Sequence, residues 1–286
     1  MTDTNATLQE EQVVQELIER AFEEDVRNGD ATTEAIVAED VQAEAFWVAK
    51  EQGIVAGLDL ARKVFQRLDP DLVWKSNYKD GDSVQPGMKI VEMAGTCRAL
   101  LTGERIALNI AQRMSGIATM THEFVELIGD LPTQILDTRK TVPGLRLLDK
   151  QAVKAGGGTN HRLGLFDLAM IKDNHIVAAG RITKAVKMVR KAYPELRIEV
   201  ETTNLKQVDE ALSAGADIIM LDNMSTDMMK KAVEKNDGSA KTEASGNITL
   251  DTVREVAETG VDYISVGALT HSVKAFDISQ QLNNIF

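Results

Sequence analysis

The chain has 286 residues, of which 43% are hydrophobic and 27% are charged, proportions that are typical of a folded soluble protein. Its net charge of −12 disfavours nonspecific binding to nucleic acid and to an anionic membrane surface. No run of about 18 apolar residues is present, and the first residues lack the basic and apolar regions of a signal peptide. The single cysteine, Cys97, cannot form an internal disulfide, so we expect a protein of the reducing cytoplasm.

The first third of the chain contains helix and strand patterns in no regular repeat. Apolar residues at helical spacing predict helices over residues 8–24 and 57–68. Apolar runs bounded by turn residues predict strands over 41–50, 72–78 and 89–101. This mixture indicates an α+β domain with a largely antiparallel sheet, and the amphipathic tail 276–286 is expected to pack back on it.

From residue 103 the pattern changes to a long helix ending near residue 128, with small residues along one side that indicate tight packing. Strands and helices then alternate. Strands are predicted at 135–140, 169–173, 197–202, 217–222, 241–246 and 263–267, and helices at 180–192, 204–214, 226–235 and 249–259. The last four strands recur about every 22 residues, as in a parallel βα fold. Six predicted strands, or seven if one is missed, suit an α/β barrel better than an open sheet, and a dinucleotide-binding sheet is disfavoured because no GxGxxG motif follows a strand.

Cationic side chains lie where the predicted barrel strands end, which is where βα barrels place their reacting groups. An arginine fork binds a carboxylate or a phosphate through two hydrogen bonds. Several cations at neighbouring strand ends favour a small ligand with several anionic groups, although each alone could form a structural ion pair. The set comprises Arg139, Lys140, His161, Arg162 and Lys172.

Two acids, Glu201 and Asp222, end successive predicted strands. A pair of carboxylates opposite a cation cluster suits Mg²⁺ bound together with substrate phosphates. The pair equally suits ribose hydroxyls or a developing positive charge. It could also neutralise Lys140 and Lys172 before substrate arrives.

Glycines follow the last two predicted strands, in Ser245–Asn247 and Val266–Ala268. Backbone N–H groups at glycine can approach a phosphate closely, and barrels often place a phosphate at the end of their last two strands. The simpler interpretation is a turn after each strand. The glycine run 156–158 is not a P-loop, because no Gly-Lys-Ser/Thr sequence follows it.

One long motif carries a family resemblance. It reads DTRKT at 137–141, PG at 143–144, GG at 157–158, HR at 161–162 and IKDNH at 171–175. Matching segments lie at 24–25, 29–30, 104–105, 108–109, 199–201, 221–223, 243–247 and 265–271. Over nearly the whole chain, these residues resemble the signature of the quinolinate phosphoribosyltransferase family.

The resemblance implies an N-terminal α/β sandwich domain, residues 1–112 joined by the tail 276–286, followed by an incomplete α/β barrel over 113–275. It implies a head-to-tail homodimer in which the N-terminal domain of one subunit covers the barrel mouth of the other, with further assembly left open. It also implies the reaction of quinolinate with phosphoribosyl pyrophosphate, with Mg²⁺, to give nicotinate mononucleotide, CO₂ and pyrophosphate. That reaction belongs to de novo NAD synthesis.

The same resemblance implies a role for each matching residue. Lys140, Glu201 and Asp222 would be catalytic, and the two acids would also bind Mg²⁺, directly or through water. The residues implied to bind quinolinate are Arg105 from the other subunit, Thr138, Arg139, Lys140, His161, Arg162 and Lys172. The residues implied to bind the phosphoribosyl donor are Lys140, Lys172, Glu201, Asp222, Ser245, Gly246, Asn247, Val266, Gly267 and Ala268.

Three other functions fit parts of the pattern. A paralogous phosphoribosyltransferase acting on another anionic ring would use the same cations. A Schiff-base aldolase would use Lys140 or Lys172 as its amine, with its pKa lowered by a neighbouring cation. A non-catalytic metabolite-binding protein is disfavoured, because carboxylates are a poor choice beside an anionic ligand unless a metal or a developing positive charge is involved.

Overall fold

A computed structural model describes residues 3–286, with side chains from Glu10 onward. Met1 and Thr2, with which the predicted first domain begins, lie outside the described residues. Up to the long helix the elements are α1 (Asp3–Asp25), α2 (Ala31–Ile36), β1 (Gln42–Ala49), β2 (Gly53–Ile54), α3 (Leu58–Leu68), β3 (Val73–Ser76), β4 (Ser83–Val84), β5 (Lys89–Thr96), α4 (Cys97–Thr102) and α5 (Glu104–Ile128). After it they are β6 (Gln134–Leu136), α6 (Arg146–Ala155), β7 (Ala169–Ile171), α7 (Asp173–Ala179), α8 (Ile182–Ala192), β8 (Ile198–Thr202), α9 (Leu205–Ala214), β9 (Ile218–Asp222), α10 (Thr226–Asn236), β10 (Lys241–Ser245), α11 (Val253–Ala257), β11 (Tyr263–Ser265), α12 (Ala268–His271) and β12 (Ile278–Ile285).

These elements form two compact units. The first contains the chain up to Met120, Pro143–Gly156 and Val273–Phe286. The second contains Thr121–Val142 and Gly157–Ser272. No helix of the described residues combines the length and the apolar character needed to cross a membrane.

The first unit is built on a four-stranded antiparallel sheet in the order β12-β1-β5-β3, beside a two-stranded pair, β2-β4. The antiparallel sheet is thus confirmed, and so is the return of the tail, which pairs along β1 as strand β12. The prediction of a strand over 97–101 is wrong, because β5 ends at Thr96 and α4 begins at the next residue. The run Cys97–Thr102 contains good helix formers, and its buried residues fit a short helix as well as a strand.

Three aromatic rings fill the core of this unit. Trp47 and Phe65, both fully buried, lie 6.2 Å apart between centroids, and Trp74 lies 5.6 Å and 6.0 Å from them. Such edge-to-face and tilted pairs each contribute about 0.5–1.5 kcal/mol beyond their area. The indole N–H of Trp47 donates to Oε1 of Gln280 at 2.9 Å, which fixes β12 against β1.

Small residues along α5 allow close packing, as their spacing predicts. The hydroxyl of Ser115 accepts the N–H of Ala56 at 2.9 Å, and that of Thr119 accepts the N–H of Ile54 at 2.9 Å. A Cβ on Gly116 would lie 2.0 Å from the carbonyl oxygen of Lys274, so no larger residue fits there.

The second unit is a six-stranded parallel sheet in the order β6-β11-β10-β9-β8-β7, with helices between the strands. Because β6 and β7 lie at opposite edges and do not pair, the barrel is open, which confirms the predicted fold class. Three predicted strands extend at least two residues too far at their carboxyl ends, since β6 ends at Leu136, β7 at Ile171 and β11 at Ser265. Beyond β6, Asp137 turns toward the loop at His161, and beyond β7, Lys172 caps the unpredicted helix α7.

We predict that the buried ion pair between α5 and α6 contributes strongly to the stability of the first unit. Asp149 is fully buried and accepts two hydrogen bonds from Arg113, each 2.9 Å long. Asp149→Ala should lower the free energy of unfolding by about 3–5 kcal/mol, since it removes a fully buried carboxylate that accepts two charge-assisted hydrogen bonds. Urea denaturation followed by circular dichroism measures this.

The matched control is Asp59→Ala, because Asp59 also pairs with an arginine, Arg62, but its side chain is 54% exposed. We expect a loss below about 1 kcal/mol for this exposed pair. Equal losses in the two variants would contradict the importance given to the buried pair.

Candidate active site

A lysine–glutamate ion pair joins the ends of two neighbouring strands. Lys172 directly follows β7, and its Nζ lies 2.6 Å from Oε2 of Glu201 near the end of β8. The parallel register, in which Ile171 is opposite Val200, brings these two side chains together. Their side chains are 46% and 14% exposed, so the pair is open to solvent on the lysine side. A ligand can therefore exchange with the ion pair at little cost in stability.

The loops after β9 and β10 are tied to each other. The N–H of Asn223 donates to the carbonyl of Ser245 at 2.8 Å, and its side-chain amide donates to Oδ2 of Asp222 at 2.8 Å. The amide of Asn247 donates to Oδ1 of Asn223 at 3.1 Å. Gly246 has a φ of +102°, and a Cβ there would lie 2.3 Å from Oδ1 of Asn223, so only glycine fits this turn without rearrangement.

The loops after β6 and β11 are also adjacent. The hydroxyl of Thr270 donates to the carbonyl of Lys140 at 3.0 Å, and the N–H of Lys140 donates to the hydroxyl of Thr138 at 3.1 Å. A Cβ on Gly267 would lie 3.2 Å from Cδ of Lys140, so glycine leaves room for the lysine side chain. This places Lys140 beside Val266–Ala268.

The loop after α6 carries a histidine into the interior of the sheet. Nε2 of His161 lies 3.1 Å from Oε2 of Glu199 on β8 and 3.2 Å from Oε2 of Glu243 on β10. The histidine side chain is 8% exposed and both glutamates are fully buried. The hydroxyl of Ser265 donates to Oε1 of Glu243 at 2.6 Å. We call His161, Glu199 and Glu243 the interior cluster.

The interior cluster retains protons strongly. Burial alone would lower the pKa of His161, but its hydrogen bonds with Glu199 and Glu243 outweigh burial and raise the pKa to about 10. Burial, and then the charge of Glu243, raises the pKa of Glu199 to about 7. Nδ1 of His161 accepts the N–H of Arg162 at 2.7 Å, which requires an unprotonated Nδ1. The raised pKa and the unprotonated Nδ1 agree if the cluster's additional proton lies on one of the two carboxyl groups. A neutral imidazole beside a carboxylic acid holds the same number of protons as an imidazolium beside a carboxylate.

Arg162 lies directly beside the interior cluster. Its Nη1 donates to the carbonyl of Leu168 at 3.1 Å, and Nη2 lies 3.5 Å from the sulfur of Met170. Burial lowers the pKa of Arg162, and the charge of Arg139 lowers it further, whereas the charge of Glu199 raises it. The charges of Arg139 and of the buried acids thus act on Arg162 in opposite directions.

The structure therefore gathers most of the predicted residues into connected groups. Lys172 contacts Glu201, Asp222 joins the loop at Gly246, and Lys140 lies beside Gly267. Arg105, in contrast, lies exposed on the first turn of α5 in the other unit, and its role stays a prediction. The assigned roles of the other residues stay predictions as well.

Sequence reasoning did not assign a role to Glu199 or Glu243, although both belong to the segments that carry the resemblance. A usable signal was the alternation Glu199-Val200-Glu201 inside an otherwise apolar strand. Side chains two residues apart point to the same face of a sheet, so a glutamate two residues before a strand-end acid faces the interior. The same spacing separates Glu243 from Ser245.

Two sets of residues could hold a cation. Glu201 and Asp222 offer carboxylate oxygens at the ends of adjacent strands, each already bound to one neighbour, so they fit Mg²⁺ that is held mainly by substrate phosphates. The nitrogen and oxygen atoms of the interior cluster lie within 4.8 Å of one another and form the second set.

Comparisons with known proteins agree with this arrangement. The family model described as the N-terminal domain of quinolinate phosphoribosyl transferase matches residues 30–115, and the model of its C-terminal domain matches residues 117–281. A probable nicotinate-nucleotide pyrophosphorylase [carboxylating] of Bacillus subtilis is 47% identical over 270 residues, covering 94% of this chain and 93% of its own. A protein of the same description from Synechocystis is 46% identical over 274 residues, covering 94% and 92%.

The crystal structure of NadC from Streptococcus pyogenes is similar over 96% of each chain, with 42% identity and a TM-score of 0.92. That structure shares the open α/β architecture described above. The chain therefore belongs to the quinolinate phosphoribosyltransferase family.

Proposed function

We propose that this enzyme transfers the phosphoribosyl group of phosphoribosyl pyrophosphate to quinolinate, with loss of CO₂, to give nicotinate mononucleotide and pyrophosphate. The function is that of a carboxylating nicotinate-nucleotide pyrophosphorylase in de novo NAD synthesis. Besides the family match, one observation carries the proposal. Lys172, directly after β7, contacts Glu201 near the end of β8 at 2.6 Å, and the charge of Arg139 acts on Arg162 in the same unit.

The cations suit quinolinate because it is a pyridine ring with two adjacent carboxylates. Two like charges held close together need more than one cation, and arginine forks bind carboxylates through paired hydrogen bonds. We assign this contact to Arg139, Arg162 and Lys172, with Thr138 beside them. When quinolinate arrives, Lys172 exchanges part of its contact with Glu201 for a substrate carboxylate.

The residues at the ends of β8, β9, β10 and β11 suit the phosphoribosyl donor. Its 5-phosphate binds the backbone N–H groups of Ser245–Asn247 and Val266–Ala268, where Gly246 and Gly267 leave room for close approach. Its ribose lies against Glu201 and Asp222. Lys140, beside Gly267, lies between the two substrates and contacts both.

The reaction begins when the pyridine nitrogen attacks the anomeric carbon of the ribose. The new C–N bond forms as the C–O bond to pyrophosphate breaks, and the electron pair leaves with pyrophosphate. Positive charge grows on the ribose, and the carboxylates of Glu201 and Asp222 stabilise it. The carboxylate next to the ring nitrogen then leaves as CO₂, because the pyridinium accepts the remaining electron pair, and the ring carbon takes a proton from solvent.

Glu201 and Asp222 would also hold Mg²⁺, directly or through water. The bound ion would supply positive charge to neutralise the charge that develops on the leaving group. The remaining work of the protein is to orient the two substrates and to exclude water.

We further propose a homodimer in which Arg105 of one subunit completes the quinolinate site of the other, in the cytoplasm. Arg105 is exposed in its own subunit. A side chain that contacts the substrate of a second subunit must be exposed in this way. The carboxylates of quinolinate then contact cations from both subunits.

The proposal is tested by incubating the purified protein with phosphoribosyl pyrophosphate, Mg²⁺ and either quinolinate or nicotinate. We expect nicotinate mononucleotide and CO₂ in equal amounts from quinolinate, none from nicotinate, and no product after chelation of the metal. If pyrophosphate were released with another ring acid and not with quinolinate, the assignment of the donor site would stand. The assignment of quinolinate as the substrate would be wrong.

Lys172→Ala should raise the KM for quinolinate by about ten- to a hundred-fold, because it removes a charge-assisted hydrogen bond to a carboxylate. Steady-state kinetics with quinolinate as the varied substrate measure the change. An unaltered KM would remove Lys172 from the set that binds quinolinate.

The matched control for that variant is Lys241→Ala. Lys241 also pairs with an acid, Asp262 at 2.6 Å, but at the amino end of β10, away from the strand ends that carry the site. The same loss of charge there should leave the KM for quinolinate within about two-fold, since an exposed pair contributes little.

Subunit mixing tests the role of Arg105. Arg105→Ala and Lys140→Ala should each abolish activity in their own homodimers. If the variants are unfolded and refolded together, about a quarter of the sites should regain activity, because half the dimers are mixed and each has one intact site. Native mass spectrometry confirms that mixed dimers are present. If activity does not recover although they are, Arg105 acts in the site of its own subunit or in no site.

A further inference from the structure

The interior cluster links three separate parts of the second unit through one imidazole ring. Glu199 comes from β8, Glu243 from β10, and His161 from the loop between α6 and β7. Nε2 lies 3.1 Å and 3.2 Å from the two carboxylates, so one ring nitrogen contacts both buried acids. A buried carboxylate is costly without a hydrogen-bonded partner, so this ring cannot leave both acids without a large loss of stability.

The second ring nitrogen is also used within the chain. Nδ1 of His161 accepts the backbone N–H of Arg162 at 2.7 Å. The backbone N–H of His161 itself donates to Oδ1 of Asp137 at 2.9 Å, and Asp137 is fully buried. Both nitrogens of the ring therefore have partners inside the protein.

The residue that benefits from this arrangement is Arg162. Its backbone is fixed by His161, and its guanidinium is fixed by the carbonyl of Leu168 at 3.1 Å. Glu199 and Glu243 also favour its positive charge, which burial and Arg139 oppose. The buried acids thus offset the repulsion between Arg139 and Arg162 before an anionic substrate arrives.

We propose that Glu199 and Glu243 are positioning residues which act through His161 to hold Arg162 in place for a substrate carboxylate, and that the imidazole makes no direct contact with the substrate. This inference rests on the proposed function, because Arg162 is assigned there to quinolinate. It gives His161 a role other than the contact with quinolinate that the family resemblance implies. It also accounts for two buried acids that the reaction itself does not use.

The kinetic test compares Glu199→Gln and Glu243→Gln with Glu258→Gln, an exposed glutamate at the end of α11 that pairs with Arg254. Both interior variants should raise the KM for quinolinate by about ten-fold, the effect of loosening one charge-assisted contact, while the KM for phosphoribosyl pyrophosphate stays unchanged. Glu258→Gln should change neither constant.

The two KM values separate positioning from general damage. Glu201 follows Glu199 by two residues on β8, and Ser245 follows Glu243 by two residues on β10, so a distorted strand would raise the KM for the donor as well. Equal increases in both KM values, or no increase for quinolinate, would overturn the proposal.

A spectroscopic test on the unaltered protein does not depend on activity. The chain has four histidines, so ¹⁵N-labelled histidine gives a simple spectrum in which loss of one signal set in His161→Gln assigns His161. We expect the neutral form protonated at Nε2, with both nitrogen shifts unchanged when quinolinate is added. A change on binding would return His161 to the substrate-binding set and overturn the proposal.

The outcomes distinguish this inference from the proposed function. If no ring acid is turned over, the proposed function fails, while the spectrum of the free protein still reports whether His161 is held as described. Metal analysis of the purified protein completes the test. A tightly bound metal that is lost in Glu243→Gln would show that the cluster is a cation site instead, and its absence is the expected result.

Discussion

The contact of one imidazole nitrogen with two buried carboxylates is the interaction on which the second unit depends. His161 Nε2 lies within 3.2 Å of Glu199 and Glu243, both fully buried, and removing one partner from such a buried group is strongly destabilising. The imidazole joins β8, β10 and the loop after α6, so the strand ends beyond them are held in a fixed relation. An apolar interior would be easier to build, but it could not support cations at the sheet's edge.

This constraint explains how a chain with a net charge of −12 can offer a site for anions. The cations near the strand ends would repel one another if they stood over an apolar interior. Buried acids favour the charge of Arg162, while Glu201 pairs with Lys172 at the rim. When the dianionic substrate and the phosphorylated donor bind, their negative charges replace part of the contact between these cations and the protein's own acids. The same strand ends can therefore bind the substrates and take part in the reaction.

Much of the architecture was predictable, because the βα repeat after residue 134 and the helical spacing at α1, α3 and α5 are strong local signals. The segment Cys97–Thr102 was not predictable, since a short apolar run fits either a strand or a helix. The ends of β6 and β7 were also misplaced, because Asp137 and Lys172 leave their strands through tertiary hydrogen bonds and a helix cap. The residues at the strand ends could be identified from the order of strands and helices in the sequence. The interior cluster could not, because its members meet only through the register that aligns β8, β9 and β10.

The most direct measurement is a crystal structure of the protein with quinolinate bound. The account predicts that the ring carboxylates contact Arg139, Arg162 and Lys172, that Lys172 shifts away from Glu201, and that His161 keeps its contacts with Glu199 and Glu243. Quinolinate bound elsewhere, or a His161 ring that turns from the glutamates toward the ligand, would contradict the account.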